Sequence, residues 1–256
     1  MPDAIAILRR SHDRLAGLVA GLDDEAIEGP SFAAAWSIAE VCSHLGSGSE
    51  LNLDWTRAAV EHREPMSTDE LPKIWAVWNG RTPRQQVDEA IRADDAHVAA
   101  LEALTEAELA GALVMLFDGT FEMAGIDLVR FRLSEHAVHT WDVAVALDPS
   151  ARIPADAVVE LIEVVGSSLE HLAKPQLAPW SLLVTTTAPD RTFVLRTTEG
   201  DVTMAPAGGT VTDGELRLPA ERFVRLAYGR LLDGEALDLD SAVVTIEDLR
   251  STFPGF

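Results

Sequence analysis

The sequence has little cysteine, little lysine and little positive charge. Cys42 is the only cysteine, so an internal disulfide and a thiolate metal cluster are both excluded. Lys73 and Lys174 are the only lysines, and almost all positive charge is arginine. Twenty basic residues face 42 acidic ones, for a net charge of −22. That balance argues against nucleic acid or an anionic membrane as a partner. It leaves room for a small anionic ligand held by a local arginine. No uninterrupted apolar run reaches the roughly 18–20 residues that span a bilayer. The first ten residues lack the layout of a signal peptide. Internal repeats and low-complexity tracts are also missing. The expectation is a cytoplasmic protein whose partners are small molecules.

What is present organises the chain into two halves. A length of 256 residues allows one large or two small domains. Over residues 3–20, Ile5, Leu8, Leu15, Leu18 and Val19 recur at a helical period. A second helix starts near Ser37 and runs to about 62. Residues 63–82, with Pro65, Pro72 and Gly80, read as loop, although Trp75 and Trp78 need somewhere to pack. Thr82-Pro83 opens a third helix to about 104 with a cap and a first-turn proline. Residues 109–119 read as a connection, and a fourth long helix spans 120–147. The sum is an antiparallel four-helix bundle over 1–150. After Pro149 the texture changes to a helix over 154–173 and β-rich runs at Ser181–Thr187, Thr192–Thr197 and Asp201–Ala205. Pro189-Asp190, Glu199-Gly200 and Gly208-Gly209 punctuate them. A helix over 219–232 and a short one near Thr245 follow. Residues 151–256 therefore read as a small α+β domain. The two domains are expected to meet at a cleft, since small-ligand sites favour such places.

The fourth helix carries the chemistry. In Arg130-Phe-Arg-Leu-Ser-Glu-His-Ala-Val-His-Thr-Trp-Asp142, Glu135 and His139 lie four apart, which places them on one helical face. A carboxylate and an imidazole so placed can grip one divalent ion from the same side. His44 in Trp36-Ser-Ile-Ala-Glu-Val-Cys-Ser-His-Leu45 offers a third ligand from the second helix. Three protein ligands with an open position is the pattern of a catalytic zinc site. Each residue also has a plainer reading: Glu135 and His139 as a solvated pair, His44 as an ordinary helical histidine. The apolar surroundings of Val138, Trp141 and Val143 weigh against that, because a buried Glu needs a partner. His136, three before His139, is the competing ligand. Asp142 can accept the second ring N–H of His139 and fix its tautomer. Gly46 and Gly48 suggest either close approach of another group or a kink. Cys42 reads as a small buried hydrophobe, and His12, His62, His97 and His171 as surface residues.

At these residues the chain resembles the DinB-like metal-binding four-helix bundles and, more closely, the mycothiol-dependent maleylpyruvate isomerase family. The features that carry the likeness are Trp36 to Leu45, Glu135 to Asp142 and, in the second half, Leu226-Ala-Tyr-Gly-Arg230. The resemblance implies a DinB-like bundle followed by a small α+β domain. It implies zinc, or another divalent metal, on His44, Glu135 and His139. It implies mycothiol, the low-molecular-weight thiol of actinobacteria, as cosubstrate. It also implies an active-site arginine from the second half: Arg230, with Arg222 and Arg225 as rivals. The activity implied is cis–trans isomerisation of maleylpyruvate by thiolate addition and elimination. A mycothiol S-transferase and a non-catalytic metal- or thiol-binding module are the alternatives.

Overall fold

The structure is a computed structural model, and it describes residues 2–33, 35–174, 179–198, 200–209 and 211–255. Glu199 and the side chain of His171 lie outside the described residues. Contacts divide the chain into two compact units, Met1–Arg152 and Ile153–Phe256.

The first unit is built on four long helices: α1 (Pro2–Val19), α3 (Ile38–Glu61), α5 (Pro83–Glu102) and α7 (Gly125–Leu147), with α2 (Asp24–Glu28) between the first pair. Each start has a local cause. Ser37 caps α3 through a capping box with Glu40, and Thr82 caps α5 through one with Gln85. Around the bundle α1 packs on α5 and α7, and α3 packs on the same two. Cross-helix bonds set the directions. Arg9 meets Glu102 while His12 meets Asp94, so α1 and α5 are antiparallel. His44 meets Glu135 while Ser49 meets Arg132, so α3 and α7 are antiparallel. The core between them holds Leu15, Ile38, Val41, Leu45, Trp78 and Val143.

Residues 63–82 are not loop throughout. A 3-10 turn (Thr68–Glu70) leads into α4 (Leu71–Asn79). Pro72 lies in its first turn, where a proline interrupts nothing. Trp78 finds its place against Gly46: a Cβ there would lie 2.2 Å from the indole ring and 2.9 Å from the Ala90 Cα. Gly46 therefore serves close packing inside an unbroken helix. Gly46→Ala is expected to destabilise the protein by about 1–3 kcal/mol through overpacking, read from urea denaturation. Helix propensity alone would instead give a gain of about 1 kcal/mol. Trp75 remains largely exposed.

Residues 106–124 also carry more structure than expected. They form α6 (Glu106–Gly111) and a hairpin of β1 (Leu113–Leu116) and β2 (Phe121–Ala124), so α7 begins at Gly125, later than residue 120. Phe117, Asp118 and Gly119 all take positive φ at the turn, a conformation that suits Asp-Gly. Among the described residues no helix is long and apolar enough to cross a membrane.

The second unit has α8 (Ala155–Leu172), then β3 (Ser181–Thr187), β4 (Arg191–Thr198), β5 (Asp201–Pro206), β6 (Gly214–Pro219), α9 (Ala220–Ala227), β7 (Asp238–Ser241) and α10 (Ile246–Thr252). The strand order is β5-β4-β3-β6-β7, antiparallel except for the parallel β3–β6 pair. Helices α8 and α9 pack on each other and on strands of the sheet, and Phe193 meets Phe223 edge to face at 4.9 Å. Strands β6 and β7 go beyond the three β-rich runs of the sequence. Helix α9 stops at Ala227, so Tyr228, Gly229 and Arg230 lie past its end. There Arg230 N–H donates to Arg225 O and Gly229 N–H to Leu226 O, with Gly229 at φ +73°. This is a Schellman C-cap, where a left-handed residue favours glycine.

Candidate metal centre

Helices α3 and α7 bring three side chains together. The nitrogens of His44 and His139 and a carboxylate oxygen of Glu135 all lie within 4.8 Å of one another. His44 Nε2 is 3.2 Å from Glu135 Oε2, and His139 Nε2 is 3.9 Å from the same oxygen. A tetrahedral ion with bonds of about 2.0–2.1 Å has ligand-to-ligand edges of about 3.3 Å, so the donor set fits zinc. The His44 side chain is 36% exposed, Glu135 20% and His139 1%. The cluster is thus anchored on the interior side and open on the His44 side.

Glu135 and His139 are held in the protonation states that a cation needs. His139 Nδ1 lies 2.9 Å from Asp142 Oδ2. In that contact Nδ1–H donates to the carboxylate, which leaves the lone pair on Nε2, the nitrogen that faces Glu135. Burial lowers the His139 imidazole against the pull of Asp142, and His44 lowers it further; the ring is neutral at neutral pH. Burial alone would raise the Glu135 carboxyl. The hydrogen bond with His44, the adjacent His139 imidazole and the Arg132 charge outweigh it and bring the carboxyl down to about 2. Trp36 covers both imidazoles, with ring centroids 5.0 Å from His44 and 5.8 Å from His139. Nothing in the helical spacing signals this, because Trp36 precedes α3 and is placed by the turn before it.

His136 does not join this group. It is fully buried, with Nε2 2.7 Å from Asp94 Oδ2 and Nδ1 2.8 Å from Ser11 Oγ. One residue along α7 is a turn of about 100°, and it carries the ring towards α1 and α5. His12 and His97 are buried as well, which corrects their surface assignment: His12 Nδ1 meets Asp94 Oδ2 at 2.9 Å, and burial pushes His97 down to about 3. Their signal in the sequence was there to find, since both fall on the apolar stripes of α1 and α5. His62 is exposed.

Cys42 sits in the core, where burial pushes its thiol up to about 12. A thiol so placed is inert. It should react with a disulfide reagent only on the unfolding timescale, measured by absorbance with and without denaturant. Rapid reaction in the native protein would contradict its placement.

In the second unit, Arg225 is fully buried and bonded to Glu221 and, through two nitrogens, to Glu235. Arg222 also pairs with Glu235, at 2.7 Å. Arg230 is buried and donates from Nη1 to Tyr228 O at 2.6 Å.

Fold and site together define a class: a helical bundle that gathers two imidazoles and a carboxylate from facing helices, followed in the chain by a small α+β unit. The chain belongs to the family described as the mycothiol maleylpyruvate isomerase N-terminal domain, which matches residues 8–144. Two solved structures share the fold, a crystal structure of the mycothiol-dependent maleylpyruvate isomerase and one of its histidine-to-alanine mutant. Each covers 96% of this chain and 95% of its own, with a TM-score of 0.69 at 14% identity. A search of curated proteins finds no significant match.

Proposed function

We propose that the protein is a mycothiol-dependent enzyme acting on a small electrophile, with cis–trans isomerisation of maleylpyruvate to fumarylpyruvate as its reaction. The observation that carries this is the convergence of His44, Glu135 and His139 within 4.8 Å, with one side open. Zinc held there would ionise a thiol in its open position, and a thiolate is the nucleophile the reaction needs. The chain's own cysteine is buried and inert, so the nucleophile comes from outside.

The remaining roles follow from the side chains. Glu135 brings the one negative charge to a donor set whose other members are imidazoles. Asp142 keeps His139 in the liganding tautomer. Trp36 closes one wall with an apolar face. In the reaction, sulfur bonds to one alkene carbon and the π electrons move to the conjugated carbonyl. The former double bond then rotates, and its re-formation in the trans geometry expels the thiolate. The thiol is not consumed. A guanidinium suits the substrate carboxylate through a planar two-point contact. The resemblance gives that role to Arg230, which is buried with Nη1 donating to Tyr228 O.

The test is an assay of zinc-loaded protein with mycothiol and maleylpyruvate, read by mass spectrometry. Thiol-dependent product of unchanged mass is expected. A mass raised by one thiol would mean transfer, and no turnover beside tight thiol binding would mean a binding module.

A further inference from the structure

Arg132 is the most deeply buried cation of the first unit, and it is built into the turn that leads to the metal centre. It is 2% exposed. Its Nη2 donates to Leu45 O at 2.8 Å, to Ser49 Oγ at 2.6 Å and to Asp94 Oδ1 at 3.0 Å. Leu45 follows His44 directly in α3. Arg132, Glu135 and His139 are spaced i, i+3, i+7, so they share one stripe of α7. One guanidinium thus connects the carbonyl beside one metal-site residue to the helical face that bears the other two.

The seat for this group is made by Gly48. A Cβ at that position would lie 2.8 Å from Arg132 Nη1 and 3.7 Å from its Cζ. The guanidinium cannot retreat without giving up Leu45, Ser49 and Asp94. Asp94 holds the far side, and its other oxygen takes His12 at 2.9 Å and His136 at 2.7 Å. All four long helices therefore meet at a single carboxylate: Ser49 Oγ of α3 donates to it directly at 2.8 Å, and Arg132 reaches it from α7 while also holding Leu45 O and Ser49 Oγ of α3.

We propose that Arg132 is a positioning residue for the metal centre, a strut that sets the distance between α3 and α7 and so between His44 and the Glu135–His139 pair. The proposal rests on the reading of those three residues as metal ligands. A rigid guanidinium fork fixes both helices at once, which the point charge of a lysine does less well. Ligand spacing near 3.3 Å tolerates little drift, and outer partners of metal ligands act on affinity for that reason.

The test compares the full chain with Gly48→Ala, Arg132→Met, Arg132→Lys and, at the other end of the bundle, Leu101→Ala. Zinc affinity is read by chelator competition, coordination by the visible bands of bound cobalt, and stability by urea. Gly48→Ala and Arg132→Met should weaken zinc binding about 10–100-fold and shift the cobalt bands, with Arg132→Lys between them and the parent. Leu101→Ala should lower the urea midpoint and leave affinity and bands in place. If Arg132→Met does not fold, Gly48→Ala carries the test, since it keeps every charge and improves helix propensity. Unchanged affinity and bands in Gly48→Ala overturn the proposal, as does equal weakening in Leu101→Ala. Failure of the parent chain itself to bind zinc overturns the metal-centre reading, and this proposal with it.

Discussion

His44→Ala, Glu135→Gln and His139→Ala should each lower thiol-dependent turnover by well over 100-fold. Loss of an outer partner of a metal ligand costs about 10–100-fold, and a direct ligand should cost more. The three changes remove different atoms from one cluster whose members lie within 4.8 Å, so their effects should not add: any double variant should be about as inactive as the single ones. Asp142→Asn acts through His139 Nδ1 at 2.9 Å and should fall in the 10–100-fold range. Steady-state assays on zinc-loaded protein, with metal content measured in parallel, check this. Full activity in His44→Ala, or equal activity with and without thiol, would contradict the mechanism.

Asp94→Ala should cost about 3–5 kcal/mol of stability, because it leaves the buried Arg132 charge without its carboxylate. Equilibrium urea denaturation measures it, and a loss under about 1 kcal/mol would show that the cluster is not the structural hub described. The same cluster gives the protein an acid sensitivity with a definite sign. An unfolded imidazole protonates near pH 6.5, whereas burial holds folded His97 down to about 3. Protons bind the unfolded chain first, so stability is complete above about pH 6.5 and falls as the pH drops towards 3. Burial opposes the Asp94 charge, but His136, His12 and Arg132 outweigh it and hold its carboxyl well below the usual range. Its contribution is present above about pH 4, the unfolded value, and is lost below it. Denaturation at a series of pH values should show a decline starting near 6.5, and His97→Leu should reduce that upper part, to which the lowered His139 also contributes, and keep the lower one.

The parts of the molecule that were legible in the sequence are those set by local rules. The caps at Ser37 and Thr82, the stripe of Glu135 and His139, and the bundle over the first half all follow from spacing and capping chemistry. What escaped depends on tertiary packing. The hairpin at 113–124 has strands of four residues, too short for an alternating pattern to stand out. Residues 71–79 form a helix because Trp78 drops into the notch at Gly46, a contact visible only once α3 and α4 meet. Helix α9 ends before Gly229, and glycine at that position was itself the available signal. His12, His97 and His136 illustrate the limit best. The stripes of α1 and α5 already turn His12 and His97 inward, but that His12 and His136 share the Asp94 carboxylate shows only in the packed bundle.

The most direct measurement is zinc titration of metal-free protein by calorimetry, for the parent chain and for the His44→Ala/Glu135→Gln/His139→Ala triple variant. One zinc ion per chain is expected in the parent and none at comparable affinity in the triple variant, with both folded by circular dichroism. A parent chain that binds no zinc, or a triple variant that binds it as tightly, would contradict a metal centre at these three residues.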